Sequence, residues 1–125
     1  MRVLLSIKPT FANAIFEGHK KFEFRRAIFR EEITHVVVYA SSPVKMVVGE
    51  FKIDRILFDD ITPLWERTRK HAGIAEGFFY SYFSEKEKGY AIAIKDAVLY
   101  DEPTPLEMFN LTRPPQSFAY LPSPG

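Results

Sequence analysis

The residues best suited to chemistry lie in one short segment, Gly18–Arg26. Glycine at its start favours a turn that presents Lys20, and the chain after it has the alternation of an extended strand. Because side chains two residues apart on a strand point to the same side, we expect Glu23 and Arg25 to lie side by side. Arg25 can grip a phosphate or a carbonyl through its forked guanidinium, and Glu23 can orient that guanidinium or accept a proton. Lys20 can neutralise a phosphate, or act as a base where burial and neighbouring cations lower its pKa.

The same three charged side chains also suit a simpler interpretation. Lysine, glutamate and arginine often form a weak set of salt bridges on the exposed face of a strand. The spacing therefore leaves two hypotheses open: a polar cleft that holds a ligand, or a solvated group of ion pairs.

Further candidate ligand-binding residues are spread along the chain. Tyr39 in a predicted strand and Tyr82 in a predicted helix each offer a ring on which a base can stack. Ser41 and Ser42 carry hydroxyls that either meet a ligand or cap a turn. Gln116 can read the edge of a base or tie down the tail. The remaining candidates are three cations near the first strand and the central segment: Lys8, Lys21 and Arg26.

The composition excludes several classes of site. The chain has 125 residues and no cysteine, which excludes disulfides, thiolate metal sites and cysteine nucleophiles. His19, His35 and His71 lack the spacing of a metal site, and the chain has no Walker loop, GxSxG or GxGxxG motif. We therefore expect neither a metal nor a cofactor. No apolar stretch reaches about 18 residues, so no membrane is expected as a partner, and the absence of cysteine and of a signal sequence favours the cytoplasm.

The net charge of +1 conceals an uneven distribution. The first thirty residues carry seven lysines and arginines against two glutamates, a balance of +5, whereas residues 31–60 have a balance of −3. If the first thirty residues share one face, they form a local basic patch that attracts nucleic acid. A solvated basic face without a partner is the alternative.

Periodicity and turn signals predict the elements that must position these residues. Apolar or alternating runs predict strands at 2–7, at 35–40, over 45–59 with a bulge or corner at Gly49, and over 89–100 as one strand or a pair. The segment from 20 to 29 is expected to be extended. Helices are predicted after Pro9, with Gly18 at the end, from Thr62-Pro63 to about His71, and over about 75–84.

These elements contain too few helices to alternate with strands, and so predict an α+β domain. We expect a small, curled, mostly antiparallel β-barrel of about five strands, with helices flanking its mouth. One domain is expected to span residues 1–125. Its proline-rich tail, from about residue 103, should pack through Leu106, Phe109 and Phe118 without a strand ladder, and its last few residues should fray.

The segment LLSIKPTFANAIFEGHKKFEFRR resembles the opening of ASCH domains, which belong to the PUA-like superfamily of β-barrels. The family motif G-x-K-x-x-E-x-R falls on Gly18, Lys20, Glu23 and Arg25. The similarity continues through later segments and covers nearly the whole chain: VYASSPVKMVVGEF (38–51), GYAIAI (89–94) and RPPQSFAYL (113–121).

The resemblance implies a protein that binds RNA or a nucleotide-like ligand in a basic cleft, with a role in regulating transcription or translation. The alternative it implies is a small hydrolase, acting on N4-acetylcytidine or as a ribonuclease, with Lys20, Glu23 and Arg25 as candidate catalytic residues. The branch that hydrolyses N4-acetylcytidine has a threonine three residues after its lysine, and Glu23 stands at that position here. A third hypothesis is a protein-interaction domain, which an exposed apolar patch would mark.

Overall fold

The computed structural model describes residues 1–122 and shows six strands and three α-helices over that range. The strands are β1 (Arg2–Ile7), β2 (Phe22–Arg25), β3 (His35–Ala40), β4 (Met46–Asp60), β5 (Lys88–Thr104) and β6 (Phe118–Leu121). The helices are α1 (Pro9–Phe16), α2 (Ile61–Thr68) and α3 (Glu76–Tyr82), and 3-10 turns cover Arg69–His71 and Leu106–Phe109. None of these helices is long and apolar enough to cross a membrane.

All six strands join one mixed sheet in the order β2-β5-β4-β3-β1-β6. Strands β1 and β3 run parallel, and the other four pairings are antiparallel. Within residues 1–122, no backbone ladder joins the two outer strands, β2 and β6, so the sheet is open. The predicted α+β class is confirmed, but six strands in an open sheet stand in place of the expected barrel of about five.

The sixth strand lies in the tail that was expected to be irregular. Strand β6 falls in a proline-free stretch between Pro115 and Pro122, so its N–H groups are available to pair with β1, from Arg2 opposite Leu121 to Leu5 opposite Phe118. The expectation of a tail without a ladder was therefore wrong. The expected fraying of the last few residues concerns 123–125, which lie outside the described residues.

Strands β4 and β5 are long, with 15 and 17 residues, and their pairing shifts register at several points. One shift lies between Val47 and Gly49, where the sequence predicts a bulge or corner. A Cβ at Gly49 would lie 2.6 Å from the ring of Phe16, so glycine there lets α1 approach the sheet closely. The predicted strand over 89–100 is one strand rather than a pair.

Aromatic residues of α3, together with Phe83 directly after it, divide between the core and a cavity. Phe79 and Phe83 are buried in a cluster with Phe24 and Trp65, whereas Phe78 and Tyr82 face a cavity. Residues four apart share one face of a helix, so Phe79 and Phe83 face the core together, and Phe78 and Tyr82 face the cavity together. This division fixes α3 to the sheet while two of its rings line a cavity.

Phe79 is fully buried, and its ring lies 5.1 Å from that of Phe24 and 4.9 Å from those of Trp65 and Phe83, between centroids. We expect Phe79→Ala to lower the free energy of unfolding by about 3–5 kcal/mol, because it leaves a cavity at the centre of the cluster. Urea denaturation measures the loss. Phe58→Ala is the control, since Phe58 is 53% exposed and its ring meets Tyr90 on one side and Nζ of Lys88 at 5.7 Å, which makes the loss about 1 kcal/mol. Equal losses would contradict this account of α3.

Candidate functional site

Lys20 is buried, with 2% of its surface exposed. Gly18, at φ +87°, ends α1 with a left-handed turn, and the N–H of Lys20 donates to the carbonyl of Ala14 at 3.0 Å. The turn directs the lysine side chain inward. Its Nζ then lies 5.4 Å from the centre of the Phe11 ring and 5.0 Å from that of Phe24. These aromatic faces attract the cation in place of part of its lost hydration.

A distant turn completes the surroundings of the lysine. Nζ of Lys20 donates to the carbonyl of Ala72 at 2.8 Å, just after the 3-10 turn at Arg69–His71. Gly73 follows at φ +68°, and a Cβ there would lie 2.4 Å from Cβ of Lys20. Only glycine therefore suits this position, both for its backbone conformation and for the approach of the lysine.

Glu23 and Arg25, which are both on β2, lie beside Lys20. Nη2 of Arg25 donates to Oε2 of Glu23 at 2.9 Å, while Oε1 of Glu23 lies 4.0 Å from Nζ of Lys20. Arg25 also donates to the carbonyl of Ser6 at 3.0 Å and to Oγ of Ser117 at 3.3 Å. The guanidinium thus connects β2 with β1 and with the segment that enters β6, across the open side of the sheet.

Burial lowers the pKa of Lys20 from the ordinary 10.5 to about 8. The negative charge of Glu23 opposes this shift, and the positive charge of Arg25 adds to it. Glu23 lies 2.9 Å from Arg25 but 4.0 Å from Lys20, and its charge offsets only part of the effect of burial on the pKa of Lys20. Lys20 therefore changes its protonation state within the range of ordinary biological pH.

These groups form one side of a cavity of about 290 Å³, which we call the aromatic cavity. Its polar side carries Lys8, Lys20, Glu23 and Arg25, three cations and one anion. Its apolar wall is formed by side chains from α1, β2, α3 and the loop before α3: Phe11, Phe24, Ile74, Phe78 and Tyr82. Such a cavity offers flat apolar surfaces for a ring and hydrogen-bonding groups along one edge.

Two neighbouring cavities extend this space. The lysine cavity, of about 550 Å³, is lined by residues that include Lys8, Tyr39, Ser41, Ser42, Lys45 and Gln116. The arginine cavity, of about 320 Å³, is lined by residues that include Arg25, Arg26, Tyr82 and Gln116. Gln116 lines all three cavities, and Lys8 lines both the aromatic and the lysine cavities. We refer to the three together as the cleft.

The structure brings most of the candidate residues to the cleft, and places two elsewhere. The residues that line it are Lys8, Lys20, Glu23, Arg25, Arg26, Tyr39, Ser41, Ser42, Tyr82 and Gln116. Gly18 ends α1 instead. Lys21 is exposed, and its backbone pairs with the carbonyl of His71 and the N–H of Ile94 at 2.8 and 2.9 Å. Both outlying residues shape the backbone around Lys20.

Sequence reasoning missed several lining residues. Phe78 was not among the candidates, although its position four residues before Tyr82 puts both rings on one face of α3. Lys45 was not singled out, and it follows the turn at Ser41-Ser42-Pro43 with φ +56°. Ala72 and Gly73 carried no local signal of a role beside Lys20. Over residues 1–122, no group of three or more His, Asp or Glu side chains is arranged to hold a metal ion.

Comparison with known proteins adds the family. The model of the ASCH domain matches residues 5–100. The chain belongs to the ASCH domain family. This match confirms the resemblance that rests on Gly18, Lys20, Glu23 and Arg25. The matched residues include the elements that build the aromatic cavity, from within β1 to within β5.

Individual relatives of this ASCH domain differ in length. An ASCH domain-containing ribonuclease from Zymomonas mobilis is 32% identical over 128 residues, which cover 94% of this chain and 82% of that protein. The large ribosomal subunit protein uL22 of Ureaplasma parvum is 30% identical over 120 residues, 95% of this chain but only 39% of that protein. The crystal structure of ASCH from Zymomonas mobilis superposes with a TM-score of 0.89 at 32% identity, covering 97% of this chain and 87% of that one.

We expect Glu23→Gln to lower the pKa of Lys20 further below 8. The carboxylate favours the protonated amine, so its removal leaves burial and the Arg25 charge unopposed. NMR titration of the lysine side chains measures this pKa. Glu17→Gln is the control, because Glu17 is exposed at the end of α1. An unchanged or raised pKa in Glu23→Gln would contradict the electrostatic account of the site.

Proposed function

We propose that this ASCH domain binds single-stranded RNA in the cleft. One base enters the aromatic cavity, and backbone phosphates lie against the cations of the lysine and arginine cavities. The observation that carries the proposal is that the three cavities adjoin at Gln116, which lines each of them, and that aromatic rings and cations line neighbouring cavities. Stacking surfaces beside a basic groove are the usual means of holding an unpaired strand.

The polar side of the aromatic cavity supplies a donor and an acceptor for the base. Nζ of Lys20 donates, and Oε1 of Glu23 accepts; at 4.0 Å from each other, both keep hydrogen-bonding capacity for a ligand. The rings of Phe78 and Tyr82 supply stacking surface. Nucleobase edges present donors and acceptors side by side, which suits this pair of groups.

The cations at the rim supply the contacts to phosphate. Lys8 and Lys45 line the lysine cavity, and Arg26 lies over the ring of Tyr82 at 4.9 Å on the other side. Four of the seven basic residues among the first thirty line the cleft: Lys8, Lys20, Arg25 and Arg26. The preference for RNA over DNA is supported by the relative from Zymomonas mobilis, which is named a ribonuclease.

We expect the affinity of the wild-type chain for single-stranded RNA to fall steeply with salt, because each phosphate contact displaces a bound counterion. Lys8→Ala and Lys45→Ala should each weaken binding and reduce the slope of log affinity against log salt by about 0.7. Fluorescence anisotropy with a labelled oligonucleotide measures both quantities. Lys52→Ala is the matched control, since Lys52 is exposed and lies on β4 beside Asp96. No binding at low salt, or binding without a salt slope, would refute the proposal.

A second candidate function is ribonuclease activity. It is favoured by the ribonuclease relative and by the lysine cavity, where the Tyr39 side chain lies with two lysines. In RNA cleavage a ribose 2′-hydroxyl attacks the adjacent phosphorus and the 5′-oxygen leaves, which gives a cyclic phosphate and a free 5′-hydroxyl. Lys8 and Lys45 would stabilise the charge on phosphorus, and the phenol of Tyr39 would exchange a proton with one of the reacting oxygens.

Under this second candidate, Tyr39→Phe should slow cleavage of single-stranded RNA by about 100-fold, because it removes the group that transfers the proton. RNA binding should change little, since the ring remains. Gel analysis of an end-labelled RNA measures the cleavage rate. Tyr80→Phe is the control, because the Tyr80 hydroxyl is exposed and donates to Oγ1 of Thr62 at 3.2 Å, and Tyr80 lines none of the three cavities. Absence of cleavage by the wild type would eliminate the ribonuclease candidate and leave RNA binding untouched.

The other activities suggested by the resemblance stay predictions. Hydrolysis of N4-acetylcytidine would use Lys20, with Glu23 at the place of the threonine and Arg25 as anion holder. A role in transcription or translation, and a protein partner, likewise stay predictions.

A further inference from the structure

Lys20 is a buried amine that can act as a nucleophile, which ligand binding does not require. It lines the aromatic cavity, and its one strong hydrogen bond runs to the carbonyl of Ala72 at 2.8 Å. A neutral amine still donates such a bond, although more weakly than an ammonium does, and it keeps a lone pair free. Lysines in apolar surroundings beside another cation are the ones that attack carbonyl carbons.

Burial and the positive charge of Arg25 favour the neutral amine, and the negative charge of Glu23 opposes it only in part. Arg25 holds Glu23 at 2.9 Å, whereas Glu23 stays 4.0 Å from Nζ of Lys20, so the lysine is not locked in a close ion pair. With the pKa of Lys20 near 8, about half of its amines are neutral at pH 8, against about one in 300 for a lysine of ordinary pKa. The carboxylate remains near enough to take up and return protons through water or the bound reactant.

The aromatic cavity also contains a cation that can hold an anionic group away from the amine. Lys8 lines the same cavity, with its Nζ 5.2 Å from the centre of the Phe78 ring. Because both lysines line this cavity, a ligand whose phosphate rests at Lys8 can occupy the space that Lys20 also lines. The cavity, at about 290 Å³, accommodates a phosphorylated sugar.

We propose that Lys20 captures the aldehyde of a phosphorylated sugar in the aromatic cavity by forming an imine. The lone pair of Nζ attacks the carbonyl carbon to give a carbinolamine, and the hydroxyl then leaves with a proton as water. One amine and one aldehyde thus give one imine and one water, with no oxidation or reduction. This activity goes beyond RNA binding and does not depend on it. A free sugar phosphate and an abasic site in a nucleic acid both carry this chemistry.

The test uses the full chain, sodium cyanoborohydride to fix the imine, and two probes: glyceraldehyde 3-phosphate and a single-stranded oligonucleotide with one abasic site. Peptide mapping by mass spectrometry should place the adduct on Lys20 at least 10-fold above each of the other eight lysines. The rate should rise through pH 8, as the amine loses its proton, and level off about one pH unit higher. If the natural aldehyde is a free sugar phosphate, glyceraldehyde 3-phosphate should react. If it is an abasic site, the oligonucleotide should react.

Variants separate capture from general lysine reactivity. Lys20→Arg should abolish the adduct, while Lys21→Arg, an exposed neighbour, should retain it. Lys8→Gln should slow capture of glyceraldehyde 3-phosphate several-fold more than it slows capture of unphosphorylated glyceraldehyde. The wild-type peptide map decides the question even if Lys20→Arg fails to fold, because the other lysines serve as internal references. Adducts spread evenly over the lysines, or none on Lys20 with either probe, would overturn the proposal; RNA affinity, measured separately, is not affected by that outcome.

Discussion

The burial of a lysine amine beside a shared carboxylate is the constraint on which this ASCH domain depends. Removing such a group from water is costly unless polar or aromatic partners replace the hydration. Here Ala72 supplies a carbonyl, Phe11 and Phe24 supply ring faces, and Glu23 supplies a charge at 4.0 Å. These partners come from α1, β2 and the loop before α3, so the site is complete only when those elements are packed together.

That requirement explains why much of the fold surrounds Lys20. Gly18 turns the chain so that the lysine points inward, and Gly73 leaves room for Cβ and Cγ of the lysine side chain. The buried rings of Phe79 and Phe83 fix α3 against the sheet, which in turn positions Phe78 and Tyr82 over the cleft. Core packing and cavity shape are therefore two results of the same helix periodicity.

Local patterns in the sequence were sufficient for the elements and for the central charged motif. Alternation in residues 22–25 predicted the side-by-side placement of Glu23 and Arg25, and the glycine and proline signals gave the helices within a few residues. The open six-stranded sheet was not predicted, because prolines in the tail masked the short stretch that forms β6. The burial of Lys20 could not be predicted from local patterns either, because the carbonyl that its amine bonds to lies 52 positions further along the chain.

The way Arg25 spans the open side of the sheet has a mechanical consequence. Strands elsewhere are joined by ladders of backbone hydrogen bonds, whereas this gap is bridged by one guanidinium through Ser6 and Ser117. A few side-chain hydrogen bonds are far weaker than a ladder and break independently of it. The gap is thus more compliant than the paired strands on either side of it, and the walls of the cleft can part there without breaking a ladder.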